Sequence, residues 1–141
     1  MAGINVSKVI TGGLVAGVIV NASEAVLNVV VLADDWKKVM LGLNKPADFA
    51  TAQIIEFNIM GFATGLLAVW LYAAIRPRFG AGRNTAVIAA LATWIAAYVL
   101  AFAPAAAMDL YPARIVCISL IWGLIEIVIA TIVGATLYKE E

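Results

Sequence analysis

Apolar residues run almost unbroken through four stretches of the chain, at about 9–33, 54–75, 86–108 and 115–138. Each is long enough to cross a hydrocarbon core, which takes about 20 residues of helix. None alternates with a period of two as a barrel strand does, and backbone groups in lipid must be satisfied within their own segment, so each stretch is expected to be a helix. The breaks between them differ. "RPRFGAGR" at 76–83 reads as a tight basic turn in which Pro77 stops the second helix and the glycines permit the reversal. "DLYP" at 109–112 reads as a short hairpin, and Pro104 is expected either to end the third helix early or to kink it. The long connection is 34–53, where Trp36, Val39, Met40 and Leu43 recur at helical spacing beside Lys37, Lys38 and Lys45. A short interfacial helix over about 35–44, lying on the membrane, is expected there. The pattern therefore predicts an all-α chain: a single transmembrane domain, 1–141, built as an integral membrane four-helix bundle with a short interfacial helix in its first loop.

Composition points the same way. The chain is 65% hydrophobic and 13% charged, against about 45–50% and about 25% in soluble domains, so the bilayer is the expected partner of most of its surface. A formal net charge of zero gives no reason to expect a nucleic acid. The single cysteine, Cys117, excludes an internal disulfide and a cysteine metal cluster, and the lack of histidine removes the commonest general base and metal ligand. With no phosphate loop, ligand cluster or nucleophile–base pair in the sequence, neither an enzyme nor a cofactor nor a metal is expected. Val31-Leu32-Ala33 before Asp34 has the form of a signal-peptide cleavage site. The apolar run before it exceeds the roughly 7–15 residues of a signal core and contains Glu24, so retention as a membrane helix is expected. Lys8, Arg76, Arg78, Arg83 and Lys139 would lie on one side of the membrane, and Lys37, Lys38, Lys45 and Arg114 on the other. The bias places both termini and the 76–83 turn inside, in a bacterial cytoplasmic membrane.

Polar residues inside the spans carry the functional information. Gly13, Gly17, Asn21, Glu24 and Asn28 are spaced by four, four, three and four, which puts them on one helix face. The glycine half lets another backbone come close. The polar half costs too much against lipid, since an acid at a helix centre is unfavourable by roughly 2.5–3.5 kcal/mol, so it must face partner helices or a water-filled cavity. The fourth span repeats the pattern with Ser119, Gly123, Glu126, Ala130 and Gly134. At about 1.5 Å per residue, Glu24 lies roughly 13 Å and Glu126 roughly 17 Å from the outer ends of their helices, close to level. If the first and fourth helices pack along these stripes, the two carboxylates become neighbours. No lysine or arginine lies within any span to neutralise them, so at least one is expected to hold a proton. Such a pair serves either as interhelical glue or as a site for a proton, a cation or a ligand, with Asn21, Asn28, Asn58 and Trp122 as further candidates. Asn58, Gly61 and Gly65 form the small stripe of the second helix, and Glu56 points away from it to the headgroups. Gly13, Gly17, Gly61, Gly65, Gly123 and Gly134 are the expected packing positions. Trp36, Trp70, Tyr72, Tyr111 and Tyr138 read as an interfacial aromatic belt, while Trp94, Tyr98 and Trp122 lie deeper and either pack the helices or line a pocket beside Glu126.

The four spans, the glycine-rich first helix, the Trp-Lys outer loop and "LYAAIRPRFGAG" at 71–82 resemble small uncharacterised bacterial four-helix membrane proteins, of the domain-of-unknown-function type. That resemblance implies a compact four-helix membrane protein and no particular activity. The chain is also similar to small multidrug resistance transporters, which have four short helices and a membrane-embedded glutamate in the first; Glu24 is the residue that matches. Two functions are expected from these readings. One is a non-enzymatic accessory or interaction subunit, partnered by lipid and by a homo-oligomer or a larger membrane complex. The other is a proton-coupled transporter or binder of a small hydrophobic or cationic ligand, working through Glu24 and Glu126. The orientation is open to direct test: a periplasm-dependent reporter such as alkaline phosphatase should be inactive when fused at either terminus and active when inserted near Asn44. The inverse pattern would reverse the assignment.

Overall fold

The computed structural model describes residues 3–139. Five helices follow one another: α1 (Val6–Val31), α2 (Ala33–Gly42), α3 (Thr51–Phe79), α4 (Arg83–Ala107) and α5 (Ala113–Leu137). No strand occurs among the described residues. α1, α3, α4 and α5 are long and apolar enough to cross a membrane. Glu140 and Glu141, which the sequence places beyond the last helix, lie outside the described residues.

Local signals start and end these helices. Asn5 caps α1, its Oδ1 accepting from Lys8 N at 3.2 Å. Gln53 reaches back to accept from Ala50 N at 2.9 Å, which satisfies a free donor at the start of α3. Pro77 does not stop the second span. α3 runs through it to Phe79 and closes with Gly80 N donating to the Arg76 carbonyl at 2.8 Å. A proline one turn from a helix end forfeits a single main-chain bond, so the helix survives it. The reversal happens beyond, at Gly80 and Gly82, whose φ angles of 84° and 131° suit glycine. Pro104 likewise sits inside α4, which continues to Ala107. The irregularities in α1 and α4 lie elsewhere, in two widened π turns at Leu27–Val31 and Ile95–Val99.

α1 and α4 each pack against both α3 and α5, and α3 also touches α5. Glycine sets how closely they meet. A Cβ added at Gly65 would lie 2.6 Å from the Gly13 carbonyl oxygen and closer still to Gly17 N. One added at Gly12 would lie 2.5 Å from the Gly134 carbonyl oxygen. The expected stripe is therefore divided. Gly13 and Gly17 face Gly65 of α3, not α5, and the contact with α5 is made one position over, by Gly12 and Ala16 against Gly134. Successive residues on a helix differ by about 100°, so neighbouring stripes serve two neighbouring helices.

The expected short helix in the first loop forms, as α2, and packs onto the protein. Trp36 and Val39 turn inward onto Leu27, Leu32 and Ile115, all buried, and Met40 is buried too. Arg114 of α5 pairs with Asp35 and ties α2 down. At the other end, Tyr72 and Tyr138 are buried edge to face instead of exposed in a belt, with ring centroids 6.0 Å apart. Their hydroxyls accept from Gly82 N and Asn5 N, each at 3.2 Å. Trp70 stays exposed.

Gly65→Ala should force α1 and α3 apart and destabilise the fold by about 1–3 kcal/mol. Gly42→Ala, where nothing lies within 4 Å of the new methyl, should not. Unfolding in mixed detergent micelles measures both, and equal stability of the two variants would contradict the close glycine contact.

Candidate functional site

α1 and α5 bring Glu24 and Glu126 together. Glu126 lies on the small-residue face of α5, between Gly123 and Ala130, and is 4% exposed. Its Oε1 accepts from the Tyr98 hydroxyl of α4 at 2.5 Å. The Tyr98 ring lies directly over Gly123, where a Cβ would collide with it. Glycine at 123 is thus what admits the tyrosine to the carboxylate. Glu126 Oε2 is buried and accepts no hydrogen bond from a donor among the described residues. The groups beside the Glu126 carboxyl are Tyr98, Glu24 and Ser23, the last two on α1 and within hydrogen-bonding reach.

Glu24 is held from the opposite side. Asn28 Nδ2 donates to Glu24 Oε2 at 2.7 Å and to the Glu24 carbonyl oxygen at 2.9 Å. Asn28 Oδ1 accepts from Trp36 Nε1 of α2 at 2.8 Å. Ser23 Oγ accepts from Trp122 Nε1 of α5 at 2.8 Å. A chain of polar contacts therefore runs Trp36, Asn28, Glu24, Glu126, Tyr98 across four helices. Its two inner donors, Asn28 and Tyr98, each sit in one of the π turns. A π turn inserts an extra residue into the helical ladder and re-aims the side chains around it, which is why such turns gather at functional sites.

Several candidates go elsewhere. Asn21 Nδ2 donates to the Asn58 carbonyl oxygen at 3.1 Å and its side chain fills the space over Gly61. Asn21 thus joins the glycine seam between α1 and α3, apart from the carboxylates. Asn58 is exposed, with Nδ2 donating to the Ile54 carbonyl of its own helix at 2.8 Å. The three-residue step from Asn21 to Glu24 explains the division, since it turns Glu24 by about 300° instead of a full turn. Glu56 is exposed, as an interfacial carboxylate would be. Trp94 donates to the Leu120 carbonyl at 2.9 Å and so ties α4 to α5.

Ser23 and Trp36 did not stand out in the sequence as members of this site. Trp36 had a signal: it lies eight residues after Asn28, on the same side of the chain if helix continues through both. Ser23 had none, being one more small residue in an apolar run. No group of three or more potential metal-ligating acids, cysteines or histidines occurs among the described residues. The site is thus two neighbouring carboxyls from different helices, one donor on each, and one buried carboxyl oxygen without a donor among the described residues. Such a unit can hold or release a proton, and it can accept a cation in a proton's place.

The chain matches no family model, no curated protein and no solved structure.

Tyr98→Phe removes the donor to a buried carboxyl and should cost about 1–3 kcal/mol. Asn58→Ala, at an exposed position, should stay within about 0.5 kcal/mol. Unfolding in micelles reads both, and an unchanged stability for Tyr98→Phe would contradict the role given to that hydroxyl.

Proposed function

We propose that this chain is an integral membrane four-helix bundle whose interior carboxylate pair, Glu24–Glu126, is the proton-binding site of a proton-coupled transporter or ligand binder. One observation carries the reading. Among the described residues Glu126 Oε2 is buried and without a donor, and the carboxyl of Glu24 is one of the groups beside the Glu126 carboxyl. Glu126 is buried and Glu24 partly so, and a buried acid beside a second acid is an arrangement suited to binding a proton or a cation. No lysine or arginine lies within 9–33, 54–75, 86–108 or 115–138 to replace that proton. Asn28 and Tyr98 occupy one oxygen of each acid, which leaves the other oxygen of each for a proton.

The bilayer setting is supported by the exposed apolar surface. Val18, Val29, Val30, Ile59, Met60, Ile121 and Ile125 stand exposed on three of the four long helices. Lipid covers such a surface where water would not. In this reading the protein sits in a bacterial cytoplasmic membrane with its termini and the 76–83 turn inside. An accessory-subunit role draws on the same exposed surface and has no observation of its own, whereas the carboxylate pair specifically favours proton binding.

An apolar carbodiimide reacts with protonated carboxyls in apolar surroundings and tests the site directly. At neutral pH the wild-type protein in lipid should be modified at Glu24 or Glu126, as located by mass spectrometry, while exposed Glu56 stays unmodified. Absence of modification at both would contradict the proposal. If the pair also drives transport, Glu24→Gln and Glu126→Gln should each abolish proton-coupled uptake in vesicles while leaving the helical content intact.

A further inference from the structure

The surroundings of the carboxylate pair differ sharply between its two sides. Towards the end that holds Gly12 and Gly134, the interior is closed by Ala16, Val20, Val69, Ile127 and Ala130, each 2% exposed or less. Beyond them the backbones of α1 and α5 meet at Gly12 and Gly134. Two buried hydroxyls in that half, Thr93 and Thr131, donate to carbonyls of their own helices, Ala89 at 2.9 Å and Ile127 at 2.6 Å. They offer nothing to a proton or a water passing that way. In the other direction the polar chain continues. Glu24, Asn28 and Trp36 are each only partly buried, and they lead from the pair to α2.

α2 joins α1 through a very short connection. It follows the π turn of α1 through a single non-helical residue, Leu32, with φ −109° and ψ 8°. Two polar links hold its body down: Trp36 Nε1 to Asn28 Oδ1, and Asp35 to Arg114. The Trp36 ring rests edge-on against Phe49 and Tyr111, at centroid distances of 6.2 and 5.4 Å. Asn28 belongs both to this attachment and to the site, because its amide group grips Glu24 with Nδ2 while Oδ1 receives the lid's indole. A displacement of α2 therefore acts on the residue that orients Glu24.

We propose that α2 is a lid over the carboxylate pair, latched by Trp36–Asn28 and Asp35–Arg114, and that water and small solutes reach Glu24 and Glu126 from this end alone. Asn28 is the positioning residue that links lid to site. The proposal rests on the proton-binding reading and adds to it a single-sided entry. It assigns Trp36 a latch's role, beyond that of an interfacial anchor.

The test compares two carbodiimides on the full chain in lipid or detergent. The apolar reagent reports whether the pair holds a proton. A water-soluble carbodiimide with an added amine reports whether the pair is reached from water, read at Glu24 and Glu126 by mass spectrometry. Trp36→Phe keeps an aromatic ring but removes one hydrogen bond, so the open population and the water-soluble labelling rate should rise about fivefold. Asp35→Asn breaks a surface ion pair and should raise the rate about twofold. Tyr138→Phe, at the sealed end, should leave it unchanged. An unaltered rate in both lid variants, or an equal rise in Tyr138→Phe, would overturn the lid. No modification by the apolar reagent in the wild type would instead overturn the proton-binding reading beneath it.

Discussion

A carboxylate inside an apolar interior is the constraint on which the arrangement of this chain turns, and here Glu126 is buried beside a second, partly buried acid, Glu24. On insertion scales an ionised acid at a helix centre costs about 2.5–3.5 kcal/mol. A hydrogen bond to a charged group returns about 1.5–3 kcal/mol. Glu24 has the Asn28 amide and Glu126 has the Tyr98 hydroxyl, so a single donor on each roughly offsets a single charge. It does not also offset the repulsion between two charges in contact. Under the proposed function, a proton held between the acids would remove that repulsion and turn the second charge into a hydrogen bond. The donors, the π turns that aim them and the glycine that admits Tyr98 all serve this one local problem.

Close backbone approach is what brings the acids within reach. Small residues let helix backbones pack tightly, a device that membrane helices use where the hydrophobic drive between them is lacking. Gly12 against Gly134 draws α1 onto α5, and Gly13 and Gly17 against Gly65 draw α1 onto α3. Larger residues at the first contact would separate Glu24 from Glu126 by the thickness of a side chain. Packing and chemistry are thus joined in α1: one stripe seats it on α3, the next on α5, and Glu24 is carried between them. Asn21 continues the first stripe and ends on the Asn58 carbonyl, which is why two polar residues three apart in sequence have unrelated partners.

The helices were legible because length and apolarity alone specify them, and the observed boundaries fall close to those read from the pattern. The tight turn was legible too, through Gly80 and Gly82. The matched depth of Glu24 and Glu126 made them neighbours only on the condition that their two helices pack together. What could not be read was rotation about the helix axes. Spacing says which residues share a face, but two adjacent glycine stripes, at Gly12 and Gly13, look alike until a partner helix selects one. The π turns were equally hidden, since no residue type marks them, and with them went the aim of Tyr98 and Asn28. α2 shows the opposite limit. Its amphipathic spacing was plain, yet an apolar face fits a membrane surface and the ends of a helix pair equally well, and Leu27, Leu32 and Ile115 take it.

The central claim is that Glu24 and Glu126 share a proton, and infrared spectroscopy of the protein in lipid tests it most directly. At neutral pH the account predicts the carbonyl absorption of a hydrogen-bonded carboxylic acid, insensitive to the ionisation of the exposed acids and altered by both Glu24→Gln and Glu126→Gln. A wild-type spectrum showing only ionised carboxylates, or a carboxylic acid band that neither substitution changes, would contradict it.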